Sequence, residues 1–478
     1  MKKLLAAILV LAMLCSVALT LTSCGEPGAP VKETYDVPEN GYDGSAVTIT
    51  FYHNMGAKLQ GVLNTYIAEF NKLYPNITIE HSSMGDYDGV RDQIKTALTA
   101  GNQPNIAYCY PDHVALYNIA KAVVPLDNFI ESTIEVTDAN GNTTVLGFTQ
   151  EQLEDFVDGY YAEGSVFDAA GTMYTLPMSK STEVLYYNKT FFEEHNIAVP
   201  TTWAEMKAVC AKILTIDPTC VPLGYDSEAN WFITMCEQYG SDYTTLDDDH
   251  FLFDNETNRA FVEEFREWHQ LGYVTTEEIY GSYTSGLFTA TEGQKCYMVI
   301  GSTGGASYQT PPTTKDQAGK DVPLFETGIA QPPQVNPAAP KVISQGPSLC
   351  IFKDENPQEV VASWLFVKFL TSDVNFQAAF SMASGYAPVI ESVKENAVYK
   401  TWLGKANGYN NLQALAVEQA IEQNDAYFVS PAFNGSSVAR DQVGQLMQDA
   451  LVYKGNDVAA KIKQLFEDAV DECEYQAD

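Results

Sequence analysis

The N-terminal part of the chain alternates a short β-branched run with a helical repeat and a second short run. Val47–His53 (VTITFYH) alternates apolar and polar side chains, which predicts a strand. Between Leu59 and Leu73 the apolar residues recur every three or four positions, which predicts an amphipathic helix that ends before Pro75. Ile77–Glu80 (ITIE) predicts a second strand. This order of elements indicates a βαβ unit with a parallel sheet.

The same alternation continues along the chain, so the predicted fold class is α/β with a helical C-terminal part. Further strands are predicted over residues 105–110, 173–176, 184–187, 296–300, 326–330 and 348–352. Further helices are predicted over residues 89–100, 151–163, 203–214, 256–271, 360–370, 374–383, 412–424, 438–453 and 458–473. Ligands of open α/β sheets bind beyond the carboxyl ends of the strands, which directs attention to the loops there.

The first residues have the pattern of an export signal. Lys2 and Lys3 precede an apolar run, which predicts a signal peptide over residues 1–23 rather than a transmembrane anchor. The run ends in Leu21-Thr22-Ser23-Cys24-Gly25, which resembles a bacterial lipobox and makes Cys24 the predicted lipidation site. Plain secretion is the alternative. Residues 24–44 are rich in Pro, Gly, Glu and Asp, which predicts a flexible tether. The remaining body is long enough to favour two lobes over one core.

Composition limits the possible partners and cofactors. The formal net charge is −35, which disfavours nucleic acid and anionic lipid surfaces. Seven cysteines follow Cys24, an odd and scattered set that predicts free thiols, with Cys210 and Cys220 left as a candidate pair. The acidic run 247–250 lacks the ligand alternation of a calcium loop. No metal site and no cofactor are therefore predicted.

Polar loops and aromatic rings are the candidate ligand groups. Tyr87, Tyr110, Trp231 and Tyr386 offer ring faces for a sugar, although core packing is the alternative for each. Helix N-termini and glycine-rich turns offer free amides, and simple N-capping is the alternative for Ser436. The loops are Ser179–Thr182, Ser302–Gly305, Gly346–Ser348 and Gly435–Ser437. On residues alone, the segment Gly171–Lys189 is equally well a surface hairpin.

Several motifs resemble the extracellular solute-binding proteins of ABC importers, in particular the glycerol-3-phosphate-binding branch of the maltodextrin-binding-like class. They are FYHNM (51–55), GDYD (85–88), TAGNQPNI (99–106), STEVLYYNK (181–189), GQKCYMVIGSTGG (293–305) and SGYAPV (384–389). The resemblance implies a periplasmic-binding-protein-like fold of type II, with two α/β lobes around a ligand cleft and a hinge. It places lobe 1 at residues 45–160 plus 295–345 and lobe 2 at residues 161–294 plus 346–478.

The resemblance also implies a function and a set of ligand contacts. The protein would capture a carbohydrate or a glycerol-phosphate-type solute and deliver it to an ABC permease, as a monomer held by a lipid anchor outside the bacterial cell membrane. By position in these motifs, the implied ligand-binding residues are Tyr87, Ser181, Trp231, Ser302, Thr303, Gly346 and Tyr386. Ser436 is added because it lies in the last polar loop, before the helix from Val438.

Two departures from that branch put the phosphate group in doubt. Pro111, followed by Asp112, stands where the branch has a glutamate that binds glycerol hydroxyls. Gly435-Ser436-Ser437 stands where the branch has an arginine on the phosphate, and the nearest arginine, Arg440, lies inside the helix. Recognition of phosphate usually needs a guanidinium group or several amides. A neutral sugar and a phosphorylated solute both remain open.

Two other functional classes are weighed against a binding protein. A secreted carbohydrate-active hydrolase would need paired carboxylates within the cleft, whereas most acidic residues here lie on predicted helix faces. The sequence also contains none of the zinc-protease or CxxC signatures. A non-transport surface adhesin is the third class, and polar loops at the strand ends argue against it. The prediction is a protein that is not an enzyme.

Overall fold

A computed structural model describes residues 30–477 of the chain. The predicted signal peptide and Cys24 lie outside these described residues. Within them, no helix is both long enough and apolar enough to span a bilayer. The strands are β1 (Val47–His53), β2 (Ile77–Ser83), β3 (Ile106–Cys109), β4 (Glu135–Thr137), β5 (Thr143–Val145), β6 (Leu176–Pro177), β7 (Ser181–Asn188), β8 (Leu223–Tyr225), β9 (Val274–Thr276), β10 (Met298–Ser302), β11 (Thr313–Lys315), β12 (Asp321–Pro323), β13 (Thr327–Ala330), β14 (Val342–Gln345), β15 (Ser348–Ile351) and β16 (Tyr427–Phe428).

The helices fill both sides of the sheets and most of the C-terminal part. They are α1 (Ala57–Leu73), α2 (Tyr87–Ala100), α3 (Pro111–Asn118), α4 (Asp127–Ile130), α5 (Gln150–Asp155), α6 (Asp158–Ala162), α7 (Lys189–Glu194), α8 (Trp203–Ile216), α9 (Glu228–Tyr239), α10 (Glu256–Gln270), α11 (Glu277–Tyr280), α12 (Ser285–Phe288), α13 (Pro357–Ser372), α14 (Val374–Ser384), α15 (Ala397–Leu403), α16 (Leu412–Glu422), α17 (Ser436–Val452) and α18 (Val458–Ala477). Short 3₁₀ helices cover Glu163–Ser165, Thr303–Gln309, Glu391–Glu395 and Asn424–Ala426.

Lobe 1 is built on a five-stranded sheet in the order β2-β1-β3-β15-β6. β1 pairs in parallel with β2 and β3, as the predicted βαβ unit requires, whereas β15 runs antiparallel to β3 and β6. Apolar side chains of α1, α13 and α14 pack on this sheet and form one core with it. The amphipathic repeat from Leu59 explains this packing, because it places Leu63, Ile67 and Phe70 on the buried face of α1.

Lobe 2 is built on a seven-stranded sheet in the order β16-β14-β7-β10-β8-β9, with β13 paired to β7 beside β14. The long strand β7 pairs antiparallel with β10, β13 and β14. Helices α8, α9, α10, α17 and α18 bury one face of the sheet in a core that contains Trp203, Trp231 and Trp268. A smaller cluster around Val184 and Tyr186 covers the opposite face.

Within the described residues, the chain crosses between the lobes three times. Residues 178–180 connect β6 to β7, residues 346–347 connect β14 to β15, and residues 423–426 connect α16 to β16. The first two lie side by side, and Lys180 exchanges backbone hydrogen bonds with Ala387 of lobe 1 at 3.1 and 2.6 Å. A surface hairpin around Ser179 is therefore wrong, because β6 and β7 belong to different sheets.

The observed lobe boundaries differ from the expected ones after residue 294. Residues 298–302 and 342–345 are strands of the lobe 2 sheet, although they were expected in lobe 1. Residues 348–421 contribute β15 and most of their buried side chains to the core of lobe 1, although they were expected in lobe 2. The reason is the antiparallel pairing of β10 and β14 with β7, which the local pattern of apolar residues does not encode.

The N-terminal strap, residues 30–44, is packed on lobe 1 rather than forming a flexible tether. Lys32 Nζ lies 2.5 Å from Asp127 Oδ1, and the Tyr35 ring stacks on Phe129 with 5.9 Å between centroids. The Gln358 side chain donates to the Gly41 carbonyl at 3.1 Å. Aromatic residues spaced among the prolines and acids provide the apolar contacts that the composition alone did not predict.

Candidate functional site

A cavity of about 220 Å³ lies between the lobes, at the carboxyl ends of β2, β3 and β14. The start of α2 and α3 forms its lobe 1 wall, and the first turns of α17 form its lobe 2 wall. The segment 344–346 and Glu163 lie at its floor beside the crossings. Two polar atoms of its lining, His113 Nδ1 and Ser344 Oγ, are buried and have no hydrogen-bond partner within residues 30–477.

Four tyrosines of lobe 1 separate this main cavity from a second cavity. Tyr87 lines both cavities, and its ring centroid lies 4.5 Å from that of Tyr110 and 6.3 Å from that of Tyr108. Tyr386 lines the second cavity, which has a volume of about 370 Å³ and extends towards Asn54 and the 3₁₀ helix that follows β10. Burial raises the pKa of Tyr87 and Tyr110, so both phenols remain neutral hydrogen-bonding groups.

The main cavity is lined by charges of both signs, with acids in excess. Its ionisable lining includes Asp88, Arg91, Asp112, Glu163, Arg440 and Asp441. Arg91 Nη1 lies 3.0 Å from Asp88 Oδ1, and Arg91 Nε donates to Asp92 at 2.9 Å. Burial raises the pKa of the Asp441 carboxyl, whereas the charge of Arg91 from the opposite lobe lowers it. The charges of Asp88 and Asp112, on the same wall as Arg91, raise the pKa of Asp441, so this carboxyl faces both signs of charge on lobe 1.

The floor of the cavity contains a buried ion pair that contacts two of the crossings between the lobes. The Lys180 ammonium, which is fully buried, contacts the Glu163 carboxylate. It also donates to the Gly346 carbonyl at 2.9 Å and to Ser348 Oγ at 3.0 Å. Lys180 belongs to the crossing between β6 and β7, and Gly346 belongs to the crossing between β14 and β15. The ion pair thus ties the two crossings together directly beneath the ligand space.

The structure brings four of the eight residues expected to bind ligand to cavity walls. Tyr87, Gly346 and Ser436 line the main cavity, and Tyr386 lines the second. Gly435, in the left-handed region at φ 104°, precedes α17 at the N-cap position, and Ser436 bonds to both backbone groups of Phe433. The N-capping alternative for Ser436 is therefore wrong.

The other four expected residues lie behind the cavity walls. Trp231 is fully buried in the core of lobe 2, on α9 rather than in a loop, and stacks on Tyr225 with 4.9 Å between centroids. Ser181 is buried at the start of β7. Ser302 accepts from the Gly304 amide at 3.1 Å, and buried Thr303 accepts from the Thr182 amide at 3.3 Å. Gly304, the next residue along the chain, does line the second cavity.

Sequence reasoning missed the charged residues of the main cavity. Arg440 was discounted because it lies inside a helix, and Asp112 was noted only as a neighbour of Pro111. Both line the cavity, together with Arg91 and Asp441. Ser436, Ser437, Arg440 and Asp441 have the spacing of one helix face, which is the signal that could have identified the arginine.

Two histidines, buried His53 and half-buried His81, form a hydrogen-bond chain at the end of β1. The Met55 amide donates to His53 Nδ1 at 3.1 Å, so this nitrogen is the acceptor and Nε2 carries the proton. His53 Nε2 then donates to His81 Nδ1 at 2.9 Å, and His81 Nε2 donates to Asn64 Oδ1 at 3.0 Å. A second proton on either ring would leave two N–H groups facing each other. The chain therefore requires neutral rings.

Acidification is expected to destabilise the protein through His53. Burial and the neighbouring His81 lower the pKa of His53 to about 4. The unfolded chain binds protons with a pKa of about 6.5, so the stabilisation is complete above that pH and is lost as pH falls towards 4. We expect a loss of about 2 kcal/mol between pH 7 and 5 from this group, measured by urea denaturation. His53→Gln should flatten this dependence. The control His195→Gln should retain it, and an equal slope in all three proteins would contradict the assignment.

Comparison with known proteins identifies relatives of this chain. The sequence profile of the family described as bacterial extracellular solute-binding protein matches residues 65–406. The sn-glycerol-3-phosphate-binding periplasmic protein UgpB of Escherichia coli (strain K12) is 28% identical over 187 residues, which are 38% of this chain and 38% of that protein. The match thus spans well under half the length of this curated relative.

Solved structures resemble the whole described body. The cyclic α-maltosyl-1,6-maltose binding protein of Arthrobacter globiformis aligns with a TM-score of 0.66 and 18% identity, covering 90% of this chain and 99% of that one. UgpB of Mycobacterium tuberculosis, in complex with glycerophosphocholine, aligns with a TM-score of 0.68 and 17% identity over 90% and 98% of the two chains. Maltose-bound MalE3 of T. maritima aligns with a TM-score of 0.66 and 18% identity, covering 90% of this chain and 100% of that one. The expected two-lobed α/β fold is confirmed.

Proposed function

Since this chain belongs to the bacterial extracellular solute-binding proteins, we propose that it captures a hydroxyl-rich solute between its lobes. It would pass this solute to an ABC permease without catalysis. The observation that carries the proposal is the interlobe cavity, to which both lobes contribute polar side chains. Polar groups in a cavity wall need hydrogen-bond partners, which a polar solute supplies when the lobes close. Closure of the lobes would expel water from the cavity.

Neutral carbohydrate is the solute class that the lining favours. Sugar hydroxyls both donate and accept, and the cavity offers carboxylate acceptors beside guanidinium and phenol donors. The four acidic residues of the lining, Asp88, Asp112, Glu163 and Asp441, outnumber Arg91 and Arg440. Lys180 engages Glu163, but the remaining acids still oppose a doubly charged phosphate. The structures similar in fold include a cyclic α-maltosyl-1,6-maltose binding protein and a maltose-bound MalE3.

A glycerol-phosphate-type solute is the second candidate. Arg91 and Arg440 face the main cavity from opposite lobes, and guanidinium groups are preferred partners of phosphate. The E. coli relative that matches part of this chain is named for sn-glycerol-3-phosphate. Under this candidate, Arg440, one turn further along α17, would take the place of the arginine that is absent at Gly435–Ser437.

We assign direct ligand contact to Tyr87, Gly346, Tyr386 and Ser436, which line the two cavities. Ser302 and Thr303 are proposed to contribute at the rim of the second cavity, next to Gly304. Ser181 and Trp231, which lie behind the walls, are proposed to support the hinge strand and the lobe 2 wall. Alanine substitution of each residue, with the ligand affinity compared with the change in stability, separates these roles.

The proposal includes export and anchoring through Cys24 outside the cell membrane. Because the first residue of the strap that contacts lobe 1 is Lys32, residues 24–31 would separate the lipid from the folded body, a span of at most about 29 Å. The mass of the mature N-terminal peptide tests lipidation. Sedimentation of the exported protein tests the expectation that it is a monomer.

Ligand titration of the chain lacking residues 1–24 tests the function. The panel is maltose, maltotriose, sn-glycerol-3-phosphate and glycerophosphocholine. We expect a neutral sugar to bind, and saturation at one hundred times its Kd to stabilise the protein by about 2.7 kcal/mol, a rise in Tm of a few degrees.

Two variants and one assay sharpen that titration. Asp112→Asn should weaken sugar binding about tenfold, which is the loss of one charge-assisted hydrogen bond, whereas the surface variant Asp248→Asn should not. Binding confined to the two phosphate-containing compounds would establish the second candidate. Absence of binding by folded protein, or release of cleaved sugar detected by chromatography, would contradict the function.

A further inference from the structure

A buried carboxylate lies behind the lobe 2 wall of the main cavity. Glu183, on β7 just beyond the hinge crossing, is 2% exposed. Its Oε2 accepts from the Tyr225 hydroxyl at 2.6 Å, and its Oε1 accepts from Asn230 Nδ2 at 2.9 Å. No lysine or arginine contacts this carboxylate within residues 30–477. A buried carboxylate without a direct cation is costly, so its retention calls for a specific partner.

The partner is reached through Asn230. The Asn230 amide group donates to Glu183, so its oxygen faces the other way, where it accepts from an Nη2 N–H of Arg440. Asn230 is itself buried, on α9, and cannot turn its amide over without losing both hydrogen bonds. Arg440 lies on α17 one turn after Ser436 and lines the main cavity. Glu183, Asn230 and Arg440 therefore form one hydrogen-bond chain from the hinge strand to the cavity.

The charges around Glu183 explain why this chain is sensitive to protonation. Burial raises the pKa of Glu183 to about 7, against the hydrogen bonds from Tyr225 and Asn230 and the charge of Arg440, which lower it. Asp226, after β8, raises it further, and Gln423 donates to the backbone carbonyl of Glu183 rather than to its carboxylate. Near neutral pH a proton on Glu183 would remove the negative charge that orients the amide and the guanidinium.

We propose that Glu183 and Asn230 are positioning residues that hold the Arg440 guanidinium in the cavity wall, and that Arg440 determines specificity by donating hydrogen bonds to oxygen atoms of the ligand. The inference rests on the proposed function of the cavity. With one N–H fixed by Asn230, the guanidinium loses little freedom on binding and presents its other donors to the solute. Arg91 on the opposite wall is held only by exposed aspartates and is not part of this chain.

A double-mutant cycle on ligand binding tests the proposal. The variants are Glu183→Gln, Arg440→Gln and the pair, in the chain lacking residues 1–24, titrated at pH 8 with maltose and with glycerophosphocholine. Arg440→Gln should raise the Kd about tenfold to hundredfold, as expected for loss of hydrogen bonds from a charged donor. Glu183→Gln keeps the size and can still accept from Asn230 through its amide oxygen, while its NH2 group donates to the Tyr225 hydroxyl. It should raise the Kd severalfold. In the Arg440→Gln background, Glu183→Gln should have no further effect, because it acts through Arg440.

The pH dependence provides the readout that a purely structural role would not change. The wild-type Kd should rise severalfold as pH falls from 8 to 6. The Kd of the Glu183→Gln protein should rise less over the same range, because the part caused by protonation of Glu183 is missing. Asp441 and His113 also line the cavity, so only the difference between the two proteins is assigned to Glu183. Arg266→Gln, a partly buried arginine on α10 bonded to the Tyr453 carbonyl, is the matched control and should bind like wild type.

The outcomes separate this inference from the proposed function. Additive effects of Glu183→Gln and Arg440→Gln, with binding retained by wild type, would overturn the positioning chain and leave the binding function standing. An unchanged Kd in Arg440→Gln would overturn its role in specificity. Failure of folded wild-type protein to bind either probe at 1 mM, roughly the weak end of functional affinity, would overturn the proposed function together with the role of Arg440.

Discussion

Replacing Lys180 with methionine is expected to lower the free energy of unfolding by about 3–5 kcal/mol. The substitution removes a cation that is fully buried and leaves the Glu163 carboxylate, which is 3% exposed, without its counter-charge. It also leaves the Gly346 carbonyl and Ser348 Oγ without the ammonium donor. Because Lys180 and Gly346 belong to two different crossings, at residues 178–180 and 346–347, the loss should lower the midpoint of urea denaturation and weaken ligand binding at the same time.

A surface pair provides the matched control for this substitution. Lys72→Met removes a lysine that bonds to Glu69 on α1, where both side chains are at least half exposed. Pairs of that kind contribute about 0–1 kcal/mol. Adding Glu163→Gln to Lys180→Met should recover part of the loss, because it removes the orphaned charge. If Lys180→Met were no more destabilising than Lys72→Met, the buried pair would not hold the crossings together.

The local elements of this fold were predictable from the sequence because their causes are local. The alternation in Val47–His53 and the repeat that ends at Leu73 depend on which face of an element is buried, and the observed β1 and α1 match them. Strand partners are different. β10 and β14 join β7 across more than a hundred residues of chain, and a period of two residues does not specify which sheet a strand enters.

The sequence predicted the residues of the candidate site only where the position of the backbone determines which residues line the cavity. Tyr87 and Gly346 follow strand ends, so topology alone brings them to the cavity. Arg440 reaches it because of the rotation of α17, and Trp231 is withdrawn from it because α9 turns that ring into the core. A motif comparison along the chain records neither rotation. The prediction of a flexible tether failed for a related reason. The strap contacts residues near 121–129 and 358, which are distant from it in sequence.

Gly346→Ala is expected to destabilise the protein by about 2–5 kcal/mol and to weaken ligand binding. Gly346 has φ 93°, a backbone conformation that costs an L-residue about 1–2 kcal/mol. A Cβ atom there would also lie 2.5 Å from the Ser179 carbonyl oxygen and 2.9 Å from the Lys180 Cα atom. Both are backbone atoms of the crossing at residues 178–180, so the clash is relieved only if the two crossings move apart. Overpacking of this kind costs about 1–3 kcal/mol.

Gly101→Ala separates the two contributions. Gly101 ends α2 at φ 70°, and a Cβ atom there would meet nothing within 4 Å. The Gly101→Ala substitution should therefore lower the free energy of unfolding by only about 1–2 kcal/mol, the cost of the backbone conformation, and leave the ligand Kd unchanged. Urea denaturation and ligand titration of both variants measure the difference. A larger loss of stability in Gly346→Ala, accompanied by weaker binding, means that this glycine is required for the close approach of the hinge strands as well as for the cavity floor. Equal losses with unchanged binding would mean that the crossings separate freely, and that the ion pair beneath the cavity does not depend on their spacing.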